Sequence, residues 1–272
     1  MLREVNLFGK IDKVEIAINR IKEFDPKSIG KMYLQPNSGG KDSLVVYHLA
    51  KLAGVDFIPV HAPTIEFKET TKYLKEHVEG LVQVPPKRFT NRVSNEKFRD
   101  KPKTMFTLIA NRKIPPTRQN PYCCSDLKEN VGNRGDYLLL GVRREESKGR
   151  STRGVVTFWK GKYCINPIFD WSKEEVWEFI DEYKLAYNPI YDMGFDRCGC
   201  PGCPKSKNQK RELEMFPEWR NWYLNAFAKM LLNLDTEICS WKSPEDVMSW
   251  WLGECEQQRQ MEGQLELGCE FI

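Results

Sequence analysis

The chain has 272 residues, 40% of them apolar and 12% aromatic, with a formal net charge of +4 at pH 7. That allows one large domain, or one domain with an appendage, around a sizeable core. The mild charge neither demands nor excludes a nucleic-acid partner. No apolar run approaches the roughly 20 residues needed to span a bilayer, and Met1 to Gly9 lacks the apolar core of a signal peptide. A cytoplasmic protein with no membrane partner is expected. In a reducing compartment the nine cysteines read as metal ligands, redox groups or buried thiols rather than disulfides.

Residues 14–24 place Val14, Ala17, Ile18 and Ile21 at helical spacing, and Asp25-Pro26 ends that predicted amphipathic helix. An apolar run at 31–37 predicts a strand, followed by Ser38-Gly39-Gly40-Lys41-Asp42-Ser43 and a helix from 44 to 53. Further strands are predicted at 55–61, 82–84 and 137–141, with a polar helix at 66–81 between the first two. Alternating strands and helices imply a Rossmann-like parallel sheet with helices on both faces, joined by right-handed crossovers. Residues 85–121 are basic and proline-rich around a helix at 104–112. Segments 155–159 and 163–166 predict a hairpin across Lys160-Gly161-Lys162. Ser172 and Glu175 form a capping-box pattern on a helix at 171–180. After Pro204 the chain reads as helical and rich in tryptophan (Trp219, Trp222, Trp241, Trp250, Trp251). The expected organisation is a helical leading segment (1–30), a nucleotide-binding domain carrying the cysteines (31–204) and a helical C-terminal segment (205–272).

The strand–glycine–helix junction carries the most chemistry. Gly39 and Gly40 permit close backbone approach and positive φ, and the helix aims its dipole and unpaired N–H groups at the same point. Ser38 and Ser43 add hydroxyls, and Lys41 adds a charge. This is a site for phosphate and above all for pyrophosphate, with a plain β–α turn as the alternative. It matches neither a Walker A loop nor a dinucleotide fingerprint.

Among the cysteines, Cys123 and Cys124 are adjacent and Cys200-x2-Cys203 forms a second pair, with Gly199, Pro201 and Gly202 making a tight knuckle after Cys198. Four thiolates suit zinc or an iron–sulfur cluster. The diverging side chains of neighbouring residues favour a cluster over one small ion, while unligated or redox thiols stay open. Cys164, Cys239 and Cys255 read as small buried side chains, and Cys269 is ambiguous.

Ser38 to Ser43 resembles the SGGxDS loop of PP-loop ATP pyrophosphatases. Together the segments from Leu34 to Pro204 resemble the phosphoadenylylsulfate (PAPS) reductase family. The resembling blocks are the loop, then His61-Ala-Pro-Thr64 with Glu69-Thr70, then Cys123-Cys124-x3-Lys128. They continue through Gly141-Val-Arg143-Arg-Glu-Glu146-Ser147-x2-Arg150, Asn166-Pro-Ile, Asn188-Pro-Ile-Tyr and Cys200-x2-Cys203. The resemblance implies an adenine nucleotide at the C-terminal edge of the strands. It also implies a 4Fe-4S cluster on Cys123, Cys124, Cys200 and Cys203. Two chemistries share the scaffold: reduction of an adenylylated sulfate, and attack on the α-phosphate of ATP with Mg²⁺, adenylating an acceptor for sulfur transfer. The sulfur-transfer component of DNA phosphorothioation is a similar protein.

Two departures favour ATP. The loop keeps Lys41 and Asp42, and the ending Leu267-Gly-Cys269-Glu-Phe-Ile272 lacks the reductases' Glu-Cys-Gly. The reading expected is an iron–sulfur PP-loop sulfurtransferase. A sulfonucleotide reductase with Cys269 as nucleophile is the alternative, and a nucleotide-binding redox regulator without turnover is a third.

Lys41 is assigned to the β- and γ-phosphates and Asp42 to holding the loop or placing Mg²⁺. Arg143 and Arg150 are assigned to phosphate or developing charge, against ion pairing to Glu145 or Glu146. Ser147 is a ligand contact or a local cap, Thr64 an adenosine contact or a turn former, and Gly141 part of the nucleotide site. His48, His61 and His77 form no triad. Expected partners are a sulfur donor such as a cysteine desulfurase or a thioredoxin-like reductant, a nucleic acid, and a second copy of the chain. The basic segments (Lys87 to Arg92, Lys97, Arg99, Lys101, Lys103, Arg112, Lys113, and Lys205 to Arg211) suit a polyanion or simple solvation. The tryptophans suit base stacking or core packing.

Overall fold

The structure is a computed structural model and describes residues 1–6, 9–90, 93, 95–234 and 241–254. The chain forms two compact units, and neither is continuous: residues 1–85 with 130–199, and residues 86–129 with 200–272. This differs from the linear division expected above. Segment 86–129, read as part of the sheet domain, belongs to the unit that holds the C-terminal helices, and the leading residues belong to the sheet unit. No helix among the described residues is long and apolar enough to cross a membrane.

In the first unit the leading segment begins with a hairpin that the sequence did not predict, β1 (Arg3–Asn6) against β2 (Gly9–Asp12). Helix α1 (Lys13–Glu23) follows, with the Asp12 carboxylate accepting from Val14 N (3.0 Å) and Glu15 N (3.1 Å). Strand β3 (Tyr33–Pro36), helix α2 (Lys41–Ala53), strand β4 (Phe57–His61), helix α3 (Lys68–His77) and strand β5 (Val82–Gln83) then alternate as predicted.

The second unit receives α4 (Met105–Arg112) before the chain returns to the first unit with β6 (Tyr137–Leu139) and the short helix α5 (Lys148–Ser151). Next come β7 (Val156–Trp159), β8 (Lys162–Ile165) and α6 (Lys173–Glu182). Lys160 (φ 51°) and Gly161 (φ 80°) make the left-handed two-residue turn that matches strand twist in the β7–β8 hairpin.

The sheet order is β5-β4-β3-β6-β8-β7; β7 pairs antiparallel at the edge and all other neighbours are parallel. The fold is thus the expected α/β class, a mostly parallel sheet flanked by helices. Alternation along the strands divides the core. Tyr33, Leu139 and Ile165 pack with α1, α2 and α6 on one side, while Leu138, Cys164 and Val60 form a separate cluster. Tyr33, Tyr137 and Tyr163 are in register on adjacent strands and touch edge-to-face (6.5 Å) and stacked (4.7 Å). Helix α2 is buried along nearly its whole length, so the loop preceding it rests on the most enclosed helix of the unit. The predicted capping box on α6 is present: Glu175 N donates to Ser172 Oγ (3.2 Å) and Ser172 N to Glu175 Oε2 (2.8 Å).

In the second unit α7 (Gln209–Met215), α8 (Pro217–Leu231) and α9 (Pro244–Trp251) follow the Cys200–Cys203 turn. Helix α4, capped by Thr104, packs on α8, and Trp251 Nε1 donates to Pro116 O (2.6 Å). These contacts are why segment 86–129 groups with the C-terminal helices. Trp219 and Trp251 are buried among aromatic neighbours, whereas Trp222 is 47% exposed.

Candidate functional site

The loop of the first unit is held by side chains on every side. Gly39 lies at φ 73°, and a Cβ there would come 3.0 Å from Thr70 Cγ2. Its N–H donates to Asn37 Oδ1 (3.0 Å), Ser43 Oγ donates to the Gly40 carbonyl (2.8 Å), and Lys41 N donates to Tyr191 Oη (2.9 Å). Burial pushes the Tyr191 phenol above its usual range, so this hydroxyl stays protonated and accepts the Lys41 amide through its lone pair. Gly40 caps α2 without a side-chain bond. Among the described residues, the amides of Asp42 and Ser43 in the first turn meet no acceptor. They are the unsatisfied donors that a helix N-terminus offers an anion.

The charged groups come from three places. Lys41 is 5% exposed, its Nζ 3.2 Å from Asp42 Oδ2 and 5.7 Å above the Tyr191 ring. Arg143, 4% exposed, donates through Nε to Asp42 Oδ1 (2.7 Å) and through Nη1 to Glu145. Burial opposes the charge on Arg143, but Asp42 and then Glu145 hold its pKa above the ordinary guanidinium value. Asp42 therefore bridges Lys41 and Arg143, which fits the loop-holding half of its expected role. A Cβ on Gly141 would stand 2.8 Å from the Asp42 carbonyl oxygen, so only glycine lets the β6 end approach the start of α2.

The structure thus brings together Ser38 to Ser43, Gly141 and Arg143. Arg150 pairs with Glu146, whose Oε2 accepts Arg143 N (2.9 Å); both ion-pair alternatives for the arginines are realised. Ser147 caps α5, accepting from Arg150 N (3.3 Å). Thr64 N donates to Glu66 Oε1 (3.3 Å), and Glu66 faces His61, whose Nδ1 lies 2.8 Å from the Asn37 carbonyl. Thr64 is thereby linked to the loop through Glu66 and His61. Asn37, Tyr191, Asn188 and Thr70 were not singled out from the sequence. Asn188-Pro-Ile-Tyr191 and Glu69-Thr70 enter the sequence reading only as parts of resembling blocks, with no role attached, and Asn37 only as the end of the 31–37 run. Cys269 lies outside the described residues.

The expected cysteine set lies in the second unit. Cys124 begins one turn of π-helix, Cys124–Lys128, in which Glu129 N donates to Cys124 O (3.0 Å). Gly202, at φ 67°, shapes the Cys200–Cys203 turn; a Cβ there would stand 2.7 Å from Leu213 Cδ2, and its amide donates to Glu212 Oε2 (2.9 Å). Cys123, Cys200 and Cys203 are buried thiols. Cys123 is pushed up by its hydrogen bond to Cys124 and by burial, with further contributions from Cys124, Cys200 and Cys203. Cys124 is pushed down to about 6, first by Cys123 and, against burial, by Lys205 and Lys128. The charge of Cys200 foremost raises the Lys128 ammonium. Cys123 thus interacts with the other three cysteines, and Lys128 with Cys124, Cys200 and Cys203. Among the described residues, no three His, Cys, Asp or Glu side chains are arranged to hold a metal ion. Asp126, on the π turn, accepts from Lys103 Nζ (2.8 Å) and Arg112 Nη2 (2.9 Å), which engages two cations of the basic segment locally.

Comparison with known proteins adds a family. Residues 33–206 match the phosphoadenosine phosphosulfate reductase domain. An uncharacterised protein of Methanocaldococcus jannaschii is 34% identical over 236 residues, covering 79% of this chain and 45% of the relative. An adenosine 5'-phosphosulfate reductase of Bacillus cereus is 28% identical over 178 residues, covering 61% of this chain and 70% of the relative. The crystal structure of phosphoadenylyl-sulfate reductase from Candida auris, a phosphate complex, is 18% identical with a TM-score of 0.42, covering 72% of this chain and 96% of that one. The chain spans about half the length of the first curated relatives it matches, 45% and 53%.

Proposed function

Because the chain belongs to the phosphoadenosine phosphosulfate reductase domain family, whose named relatives include adenosine 5'-phosphosulfate reductases, we propose that it is a PP-loop enzyme acting on Mg-ATP. It cleaves ATP between the α- and β-phosphates, releases pyrophosphate and adenylates an acceptor for sulfur transfer. The observation that carries this reading is the loop itself. Two first-turn amides without acceptors and the enclosed Lys41 converge where a pyrophosphate would sit. In that role Lys41 leaves Asp42 for the departing phosphates. Arg143, held by Asp42 and Glu145, keeps Asp42 in place as charge develops, which is electrostatic stabilisation arranged in advance. Mg²⁺ enters with the nucleotide.

The donor set of the second unit fits a multi-iron cluster better than a single tetrahedral ion. Cys123 lies within electrostatic range of Cys124, Cys200 and Cys203, and Cys123 and Cys124 are neighbours in sequence whose side chains diverge. Cys123, Cys124, Cys200 and Cys203 would hold such a cluster, which when bound would supply sulfur or electrons. Lys128 would temper the negative charge of the thiolates. A cysteine desulfurase is the kind of protein that would supply sulfur, and a nucleic acid is one class of acceptor.

The named relatives, adenosine 5'-phosphosulfate reductases among them, favour a second reading, reduction of an adenylylated sulfate at the expense of a thioredoxin-like protein. Calorimetry on anaerobic protein separates the two, setting Mg-ATP against adenylylsulfate and phosphoadenylylsulfate. Preference for ATP, lost in Lys41→Ala, supports adenylation. Preference for a sulfonucleotide overturns it in favour of the reductase.

A further inference from the structure

One cysteine outside the expected ligand set stands against the phosphate loop. Cys198 Sγ donates to the Ser38 carbonyl (3.5 Å), accepts from Asn188 Nδ2 (3.4 Å) and lies 3.5 Å from Thr70 Oγ1. Asn188 Nδ2 also donates to the Gly39 carbonyl (3.2 Å) and to Thr70 Oγ1 (2.9 Å). Asn188 and Thr70 are 1% and 2% exposed. A Cβ on Gly40 would meet Cys198 Cβ at 3.5 Å, so the thiol packs directly on the loop backbone.

From these contacts we propose that Cys198 is a positioning residue of the loop. The amides of Gly39 and Gly40 are tied within the loop, to Asn37 Oδ1 (3.0 Å) and Ser38 Oγ (3.4 Å), and the carbonyls of the same two peptides take donors from outside it. Gly39 is buried, and an unmatched buried carbonyl is costly; Ser38 is exposed, and a donor on its carbonyl fixes the orientation of the 38–39 peptide. Asn188 serves Gly39 and the Cys198 thiol serves Ser38. Removing the thiol leaves the Ser38 carbonyl without that donor and lets the 38–39 peptide rotate, which turns the following amides away from the phosphates. The sulfur's size matters as well. Together with the Cys198 Cβ, which a Cβ on Gly40 would meet at 3.5 Å, it fills the side of the loop at Gly40. Cys198 touches no substrate atom in this role; it acts through the backbone it holds. The inference rests on the loop taking an adenine nucleotide and is indifferent to which reaction follows.

The experiment compares Cys198→Ser, which keeps a donor, with Cys198→Val, which keeps the bulk and loses the donor. Mg-ATP affinity of anaerobic protein should fall about fivefold or more in the valine variant, the equivalent of one lost hydrogen bond, and stay within about twofold in the serine variant. Amide hydrogen exchange of residues 37–45, read without nucleotide, should quicken in valine and not in serine. Iron content should not change in either. Equal exchange in both variants and wild type overturns the positioning role. Loss of iron from the serine variant with unchanged affinity also overturns it and makes Cys198 a cluster ligand. Failure of the wild type to bind any adenine nucleotide would sink the nucleotide reading instead, while the exchange comparison would still decide the role of Cys198.

Discussion

The phosphate loop and the cysteine turns are both built on glycine at positive φ, yet they are stabilised in opposite ways. In the loop the side chains of Asn37, Ser38 and Ser43 all have partners nearby, and the charges of Lys41, Asp42, Arg143 and Glu145 are paired in a chain. That region is complete before any ligand arrives, and its unsatisfied atoms are the amides that a phosphate would meet. In the cysteine region the framework is complete, through Asp126, Glu212 and Tyr223, but the thiols act chiefly on one another. A preformed anion site loses little entropy on binding. A group of buried thiols that must give up protons to bind a metal gains more from what binds it than from its own packing. One region should respond to steric damage and the other to changes in its charge.

The largest expected effect is Gly141→Ala. The added methyl meets backbone at the start of α2, which cannot give, and overpacking of this kind costs about 3 kcal/mol. Urea denaturation should show that loss, and calorimetry should show nucleotide affinity falling with it. Gly202→Ala comes next, at roughly 2 kcal/mol from the left-handed backbone, because its clash is with the movable end of Leu213. It should lower iron content and leave Mg-ATP affinity unchanged; equal loss of both would erase the distinction drawn here.

Asp126→Asn tests the charge side. Burial opposes ionisation of Asp126, but Lys103 and Arg112 bring its pKa below the ordinary carboxylate value. The folded state therefore binds this proton less readily than the unfolded chain. The carboxylate's contribution is present above the unfolded pKa of about 3.9 and fades as pH falls through the lower folded pKa. Thermal melts should show wild type above the variant near neutral pH, by about 1–2 kcal/mol, and the gap closing below about pH 4. A gap that persists in acid would assign the effect to packing. Ser172→Ala is the smallest at about 1 kcal/mol, an ordinary cap lost far from both regions, and should leave nucleotide and iron binding alone.

Much of the loop region was legible in sequence, because strand, glycines and helix are contiguous and their periodicities are local. The Asp42–Arg143 pair was not. Its members are 101 positions apart, and Arg143 has acidic neighbours that satisfy any local reading. The ion-pair reading of Arg143 is realised through Glu145, and the same guanidinium also serves Asp42, which no local reading offered. The leading hairpin escaped notice because four-residue strands carry too little alternation to be told from a polar linker. Residues 86–129 betrayed their helix, through Met105, Leu108 and Ile109, but not its destination. An apolar face states that it needs a partner and not which one. Thr70 and Asn188 act from behind the loop, where sequence offers only a threonine on a polar helix and an asparagine before proline.

The interleaving of the two units bears on how the chain is made. Residues 86–129 leave the ribosome well before residues 200–254 that complete their core, so their apolar helix must wait while residues 130–199, with β6, β7 and β8, are synthesised. Long sequence separation slows the closing of such contacts, and the waiting segment is exposed to aggregation in the interval. A chaperone that shields Phe98, Met105 and Leu108 during translation would raise the yield of native protein, and separate expression of either half of the sequence would strand both cores.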